Sequence, residues 1–161
     1  MEEYEYSYKV SDLKPYITYC EENGYRKEPA VLQNRKVYDN EKLSNVIARL
    51  TTTVVNERRK TTFDFKNITS REENLNISFE SLSIKVDDTN RKFINSMLDI
   101  LEFKQCADNK RTRYVYKKNN VTFEIDDYSK PKMYVLAIEG DRKEVDKVNK
   151  ELENINKLYQ V

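Results

Sequence analysis

The first strand of this sequence separates charge from aromatic rings in a way that few folds can use. Residues 3–10 read EYEYSYKV. Because successive side chains of a strand point to opposite faces, two carboxylates, a serine and a lysine share one face, and three tyrosines and a valine share the other. The aromatic face is predicted to be buried. The opposite face suits a ligand that carries both metal ions and negative charge.

Later segments repeat this alternation, most clearly at residues 61–66 (TTFDFK) and 121–126 (VTFEID). Pooled over the predicted strands, one sheet face presents Lys9, Arg49, Lys66, Lys85, Arg111 and Arg113 together with Glu3, Glu5, Glu80, Glu124, Asp126 and Glu139. Two interpretations are open. The face is either solvated, with ion pairs between neighbouring strands, or it curls around a ligand. In the second case the cations would neutralise a polyphosphate and the carboxylates would hold one or two divalent ions.

Composition narrows the chemistry that such a face could support. The chain has no histidine, which excludes histidine-based nucleophile schemes and histidine-ligated metal centres. Any metal would be a hard ion held by carboxylates, such as Mg2+ or Mn2+. Two glycines in 161 residues leave no glycine-rich phosphate loop. A net charge of +1 argues against an extended nucleic-acid surface.

Length and hydropathy indicate one soluble domain over residues 1–161. The sequence has no apolar run long enough to predict a transmembrane helix, and its acidic start does not resemble a signal peptide. Cys20 and Cys106 lack the spacing of a metal site and are expected to be reduced thiols. We therefore expect a cytoplasmic protein without membrane contact, and the sequence leaves a homodimer open.

The order of predicted elements indicates an α+β fold. Helices are predicted from a Ser11 cap to residue 23, over residues 87–102, and from Gly140 towards Leu158. Strands are predicted at 35–39, 45–55, 61–66, 76–86, 112–118, 121–126 and 133–138, with 67–75 as a loop and a tight turn at 119–120. Each half reads strand, capped helix and several antiparallel strands. Two such halves can close into one antiparallel barrel with the helices outside.

This order of elements resembles the CYTH superfamily, the triphosphate tunnel enzymes, over about residues 4–153. The segments that carry the resemblance are Glu5-x-Ser7-x-Lys9, Ile47-Ala48-Arg49, Phe63-Asp64-Phe65-Lys66, residues 80–85 with the following helix, Arg111-Thr112-Arg113, residues 121–126 and Ala137-Ile138-Glu139-Gly140. The resemblance implies a closed antiparallel barrel whose basic residues hold a triphosphate and whose glutamates hold Mg2+ or Mn2+.

The resemblance also implies roles for individual residues. Lys9, Arg49 and Lys66 would act in catalysis, and phosphate would be bound by these three with Lys85, Arg111 and Arg113. Metal ligands would be Glu3, Glu5, Glu124, Asp126 and Glu139. The implied activity is metal-dependent hydrolysis of inorganic triphosphate, thiamine triphosphate or a nucleoside triphosphate.

The sequence departs from the family pattern at three positions. Ser7 and Ala137 stand where the pattern has glutamates, and Ile47 stands where it has an arginine. Two departures remove metal ligands and one removes a phosphate contact, although Glu3 and Glu124 could supply carboxylates nearby. The alternatives are therefore an inactive tunnel that binds a nucleotide or polyphosphate, and a class IV type adenylyl cyclase.

Overall fold

Ten strands and four helices follow one another in residues 2–161, the part of the chain that the computed structural model describes. In chain order they are β1 (Glu2–Val10), α1 (Lys14–Glu22), β2 (Arg26–Lys27), β3 (Val31–Asp39), β4 (Val46–Val55), β5 (Arg58–Glu72), β6 (Leu75–Glu80), β7 (Ile84–Lys85), α2 (Asp88–Ile100), β8 (Lys104–Lys118), β9 (Val121–Lys130), β10 (Lys132–Gly140), α3 (Arg142–Glu151) and α4 (Glu153–Tyr159). No helix in this part of the chain is long and apolar enough to span a membrane.

Eight of the strands close into an antiparallel barrel in the order β8-β3-β4-β5-β6-β1-β10-β9, with β9 returning to β8. The two short strands lie off this ring, because β2 pairs with one end of β8 and β7 pairs with β5. Closure leaves the barrel strands without free edges. The predicted α+β fold, a closed antiparallel barrel with helices outside, is confirmed.

The larger hydrophobic core lies outside the barrel, between its wall and α1, α3 and α4. Tyr8 and Val10 of β1 point outward into this core, as the alternation predicts. Tyr4 donates a hydrogen bond to Asp146 Oδ1 of α3 at 2.7 Å, and Tyr6 donates to the same oxygen at 3.0 Å. Because the tyrosine face packs outward, the charged face of β1 is directed into the barrel.

A second, smaller core lies beneath α2 on the outer face of β4 and β5. Ile94 and Leu98 of the helix are buried there against Ala48 and Phe63. The Asp87 side chain caps α2 by accepting hydrogen bonds from the backbone N–H groups of residues 89 and 90, both at 2.9 Å. The predicted start of this helix is therefore correct.

Four sequence predictions were wrong in detail. Residues 67–75, predicted as a loop, mostly continue β5, because polar residues on both faces give this projecting hairpin no alternation to detect. Residues 76–86 form parts of two strands, β6 and β7, rather than one.

The last helix breaks at Leu152 into α3 and α4. Leu158 is exposed, because α4 turns to bury Asn156 instead. Asn156 accepts a hydrogen bond from Tyr16 at 2.8 Å. Ser11 does not cap α1, whose first N–H is bonded by Asp12.

Candidate functional site

The barrel encloses a cavity of about 380 Å³ whose wall is almost entirely charged. Its lining consists of the cations Arg35, Arg49, Lys66, Arg111 and Arg113, the carboxylates Glu3, Glu5, Asp64, Glu80, Glu124, Asp126 and Glu139, and Ser7, Tyr128, Val135 and Ala137. The volume falls within the range of ordinary ligand pockets, about 300–1,000 Å³. Such pockets are usually mostly apolar, so this lining indicates an ionic ligand.

Three carboxylates meet at one side of the cavity. Glu5 of β1 lies directly opposite Glu139 of β10, and Glu3 is on the same face of β1. Carboxylate oxygens of the three residues lie within 4.8 Å of one another. Burial, followed by the charges of Glu124, Glu3 and Glu5, raises the pKa of Glu139 to about 8. Burial also raises the pKa of Glu5 to about 7, with contributions from Glu3 and Glu124.

This carboxylate cluster has the composition and spacing of a hard-cation site. Oxygen ligands suit Mg2+ and Mn2+, and a bound cation would relieve the repulsion that raises these pKa values. Beside it, the Ser78 side chain is buried directly across from Glu3, and its hydroxyl has no hydrogen-bond partner within residues 2–161. These residues therefore fit the metal that the resemblance implies.

Gly140 fixes the end of β10 next to this cluster. Its φ of +139° disfavours other residues, and a Cβ atom there would lie 1.8 Å from the backbone oxygen of Asn120. The close approach to the β8–β9 turn thus requires glycine. This contact fixes the backbone immediately after Glu139. The glycine of the Glu-Gly sequence therefore has a structural role.

Arg49 and Lys66 form an ion-pair cluster on the neighbouring wall. Arg49 binds Asp64 in a bidentate manner, through Nε at 2.9 Å and Nη2 at 2.7 Å. The same Nη2 donates to Glu80 at 2.9 Å, and Lys66 Nζ lies 2.9 Å from Glu3. Within residues 2–161, Nη1 of Arg49 donates no hydrogen bond. This nitrogen therefore has donors for a ligand.

Arg113 and Arg111 are more fully engaged. Arg113 binds Asp126 through Nε at 2.8 Å and Nη2 at 3.0 Å, and its Nη1 binds Glu124. Arg111 donates to Gln33 and Tyr128, and its Nη1 lies 3.4 Å from Asp126. Glu124 and Asp126, predicted as metal ligands, are thus bound to arginine in this structure, although the charge of Glu124 still acts on Glu139 and Glu5 of the carboxylate cluster.

Arg35 of β3 is a cavity residue that sequence analysis missed. Its Nε donates to Thr51 at 3.0 Å, and no carboxylate within residues 2–161 pairs with it at salt-bridge distance. Burial, followed by the charges of Arg111, Arg49 and Arg113, lowers the pKa of Arg35 to about 9, so the guanidinium remains protonated at neutral pH. A buried cation surrounded by other cations is stabilised by an anion. The alternation Gln33, Arg35, Val37 could have identified it if the predicted strand had begun earlier.

The structure places Lys9 and Lys85, predicted phosphate contacts, elsewhere. Lys9 lies towards the end of β1 and is exposed, and Lys85 lies on the short strand β7, also exposed. Neither belongs to the cavity lining. Asp64 and Tyr128 do belong to it, although they were not among the predicted site residues. A face assignment alone does not say how far along a strand a side chain lies, and this explains both differences between the predicted residues and the cavity lining.

The departures from the family pattern also have definite positions. Ser7 lies directly opposite Ala137, one pair along from Glu5 and Glu139, and both small side chains line the cavity. Ala137 in turn lies opposite Glu124 of β9. Ile47 lies two residues before Arg49 on β4, so both side chains are on the same face of the strand, but Ile47 does not line the cavity. Ser7 and Ala137 thus place small side chains next to the carboxylate cluster.

Comparisons with known proteins identify the fold. No protein-family model and no curated protein matches the chain. Among solved structures, PH1012 of Pyrococcus horikoshii OT3 matches with a TM-score of 0.70 and 22% identity, over 96% of this chain and 88% of that one. A Hippeastrum protein, studied as an adenylyl cyclase and found to have a dominant triphosphatase activity, matches with a TM-score of 0.68 and 14% identity, over 98% and 90%. A chain of the Schizosaccharomyces pombe Mediator head module matches with a TM-score of 0.62 and 12% identity, over 98% and 94%.

These similarities define the class of fold to which the chain belongs. It has the CYTH fold, an antiparallel barrel shared with proteins studied as adenylyl cyclases and triphosphatases. The resemblance seen in the sequence is therefore confirmed at the level of fold.

Proposed function

We propose that this protein binds a triphosphate compound and a divalent cation inside the barrel and hydrolyses the terminal phosphate. The observation that carries the proposal is that the carboxylate cluster Glu3, Glu5 and Glu139 shares one cavity of about 380 Å³ with Arg35, Arg49 and Lys66. Few ligands other than a metal-bound polyphosphate call for both groups at once. The triphosphatase activity of the Hippeastrum neighbour supports the same class of substrate.

The hydrogen bonds that each cation already makes within the protein indicate which cations would contact phosphate. Arg35 donates a hydrogen bond through Nε only, and Arg49 donates through Nε and Nη2 but not through Nη1. Both guanidinium groups therefore have N–H donors for phosphate oxygens. Lys66 is held by Glu3 and can turn one of its three N–H groups to a ligand. Arg111 and Arg113 use all three of their side-chain nitrogens in contacts within the protein, so they have fewer N–H groups left for phosphate and serve mainly to hold the β8–β9 wall.

The charge of the cavity makes the divalent cation a requirement for binding. Fully ionised, the lining carries seven carboxylates against five cations, so a triphosphate alone would enter a field that repels it. Glu3, Glu5 and Glu139 would hold Mg2+ or Mn2+, which supplies Lewis-acid stabilisation of the phosphoryl oxygens when bound. Triphosphate affinity is therefore expected to depend on the metal.

Hydrolysis in this cavity would add water across a phosphoric anhydride bond. The water oxygen forms a bond to the terminal phosphorus, and the bond from that phosphorus to the bridging oxygen breaks. The electron pair stays with the leaving diphosphate group, orthophosphate carries the new oxygen with one proton of the water, and the other proton is released to solvent. Arg35, Arg49 and Lys66 would neutralise charge on the phosphoryl and leaving oxygens, the main source of catalysis in phosphoryl transfer.

A second candidate function is binding without turnover. Ser7 and Ala137 remove carboxylate positions directly beside the cluster, and Arg49 is held by two carboxylates of the protein itself. Both features weaken transition-state stabilisation more than ground-state binding. Cyclase activity is less favoured, because the only aromatic ring in the lining, Tyr128, is covered by the Arg111 guanidinium at 5.3 Å and offers no free surface for a base.

The test is phosphate release from inorganic triphosphate, thiamine triphosphate and ATP, each with Mg2+ or Mn2+, together with chromatography of the ATP reaction for cyclic AMP. We expect release by the wild type and a loss on the order of 100-fold in kcat/KM for Arg35→Met. Glu139→Gln should abolish the metal-dependent release, because it removes a ligand of the cation. Lys85→Ala is the matched control, since it removes a cation outside the cavity, and should leave the rate unchanged.

The outcomes separate the candidates. Absence of release together with metal-dependent binding of triphosphate, measured by calorimetry and weakened by Arg35→Met, would establish the binding function instead. Absence of both release and binding would refute the proposal. Release that Glu139→Gln and Arg35→Met leave unchanged would point to a contaminating enzyme.

A further inference from the structure

The side of the barrel that carries α2 exposes an unusual amount of apolar surface. Ten large hydrophobic residues are exposed in residues 2–161, and six of them lie between positions 79 and 101. These six are Phe79, Leu82, Ile84, Phe93, Ile100 and Leu101. Ile84 pairs with Phe63, the residue against which α2 packs, so β7 borders the helix. A clustered apolar surface of this kind marks an interaction site, whereas scattered residues do not.

The exposed large hydrophobic residues of α2, Phe93 and Ile100, form a stripe along the helix. They are seven residues apart, which places them on a common face two turns from each other, and Met97 between them is half-buried against the second core. Phe93 is 68% exposed and Ile100 is 79% exposed, while Ile94 and Leu98 beside them are buried against the barrel. The helix is therefore apolar over two adjoining faces, of which the barrel covers only one.

Charges beside this stripe indicate what covers it. Lys92 and Asp99 are seven residues apart, so they lie on the same flank of the stripe, one near each end. Both are exposed, and neither forms an ion pair within residues 2–161. If two copies of α2 pack antiparallel about a twofold axis, Lys92 of each copy lies beside Asp99 of the other. The two ion pairs are equivalent by symmetry, as in isologous dimers.

We propose that the protein forms a symmetric homodimer through the exposed face of α2. The stripe of Phe93 and Ile100 packs against the same stripe of the second copy, with Lys92 and Asp99 pairing at both ends. A net charge of +1 per chain opposes this association only weakly. The interface lies on the solvent-facing side of α2, outside the barrel, and does not depend on the function of the cavity.

Sedimentation equilibrium of the full chain over a wide concentration range tests the proposal. The wild type is expected to sediment as a dimer at micromolar concentration. Ile100→Ser and Phe93→Ser should each raise the dimer dissociation constant at least tenfold, as expected for central apolar contacts. Both side chains are exposed in a single chain, so the monomer should remain folded, which circular dichroism checks. Leu158→Ser is the control, because Leu158 is 78% exposed but lies on α4.

Charge reversal tests the antiparallel geometry. Lys92→Glu and Asp99→Lys should each weaken the dimer, and the double variant Lys92→Glu/Asp99→Lys should restore it. A wild type that stays monomeric at all concentrations would overturn the proposal and assign the surface to another partner. A dimer that is insensitive to Phe93→Ser and Ile100→Ser would overturn it too, and the absence of rescue in the double variant would exclude the twofold arrangement.

Discussion

Replacing Glu139 with glutamine should stabilise the metal-free protein at alkaline pH. Glu139 lies in a cavity with six other carboxylates, and its nearest partners by charge are Glu124, Glu3 and Glu5. Above neutral pH the fold must keep this carboxylate ionised against burial and like charge. Glutamine keeps the size and hydrogen-bonding capacity of the side chain but removes the charge.

The magnitude follows from the pKa. Burial and the neighbouring carboxylates raise the pKa of Glu139 from 4.5 to about 8. At ~1.4 kcal/mol per pKa unit, the full shift corresponds to roughly 5 kcal/mol at pH values above 8. Water in the cavity screens this charge, which reduces the expected gain to about 2–3 kcal/mol. For a chain of this length, such a gain raises Tm by roughly 5–10 °C.

The pH dependence of the stability sets the sign of the difference between Glu139→Gln and the wild type. The folded protein holds the proton of Glu139 more tightly than the unfolded chain does, so the wild type loses stability as pH rises from about 4.5 through about 8. The advantage of Glu139→Gln should therefore be small at pH 4.5 and fully developed at pH 8.5.

Thermal denaturation followed by circular dichroism, in buffer containing a chelator, measures this difference. Glu41→Gln, a change at an exposed glutamate, is the control and should leave Tm unchanged at both pH values. A lower Tm for Glu139→Gln at pH 8.5, or the same Tm difference at both pH values, would refute the account of the cluster as mutually repelling carboxylates.

Three further predictions concern other parts of the molecule. Adding Mn2+ at pH 8.5 should raise the Tm of the wild type by more than that of Glu139→Gln, because the cation offsets repulsion that the variant lacks; equal shifts would place the ion elsewhere. Asp126→Ala should destabilise by about 3–5 kcal/mol in urea unfolding, since Asp126 is 1% exposed and its loss leaves Arg113 without its bidentate partner. Asp87→Ala should cost about 1 kcal/mol in the same assay through loss of the α2 cap, and no change would show that the cap contributes nothing.

The sequence predicted which face of a strand a side chain occupies better than it predicted the position of that side chain along the barrel. The alternation in β1 assigned Tyr8 outward and Glu5 inward, and the structure agrees, because face preference is a property of single strands. Lys9 shares that inner face but sits near the strand end in solvent. Its position depends on barrel register, which arises from pairing between distant strands.

The same limit applies to ion pairs in the cavity. Arg113 and Asp126 lie directly opposite each other on β8 and β9, so their bidentate pair is a consequence of register. Sequence alone assigned one to phosphate and the other to metal. Arg35 was missed for a different reason, because its strand was predicted too short to show the alternation.

Because both hydrophobic cores lie outside the barrel, inward-facing side chains that take no part in its ion pairs can change without disturbing the packing of the cores. Ser7 and Ala137 illustrate the point, since these two small side chains line the cavity while the neighbouring Tyr8 and Leu136 are packed in the outer core. A barrel of this design can change such unpaired positions of its inner wall and still fold. The same property makes it a suitable starting point for engineering new anion receptors by redesigning inward-facing side chains alone.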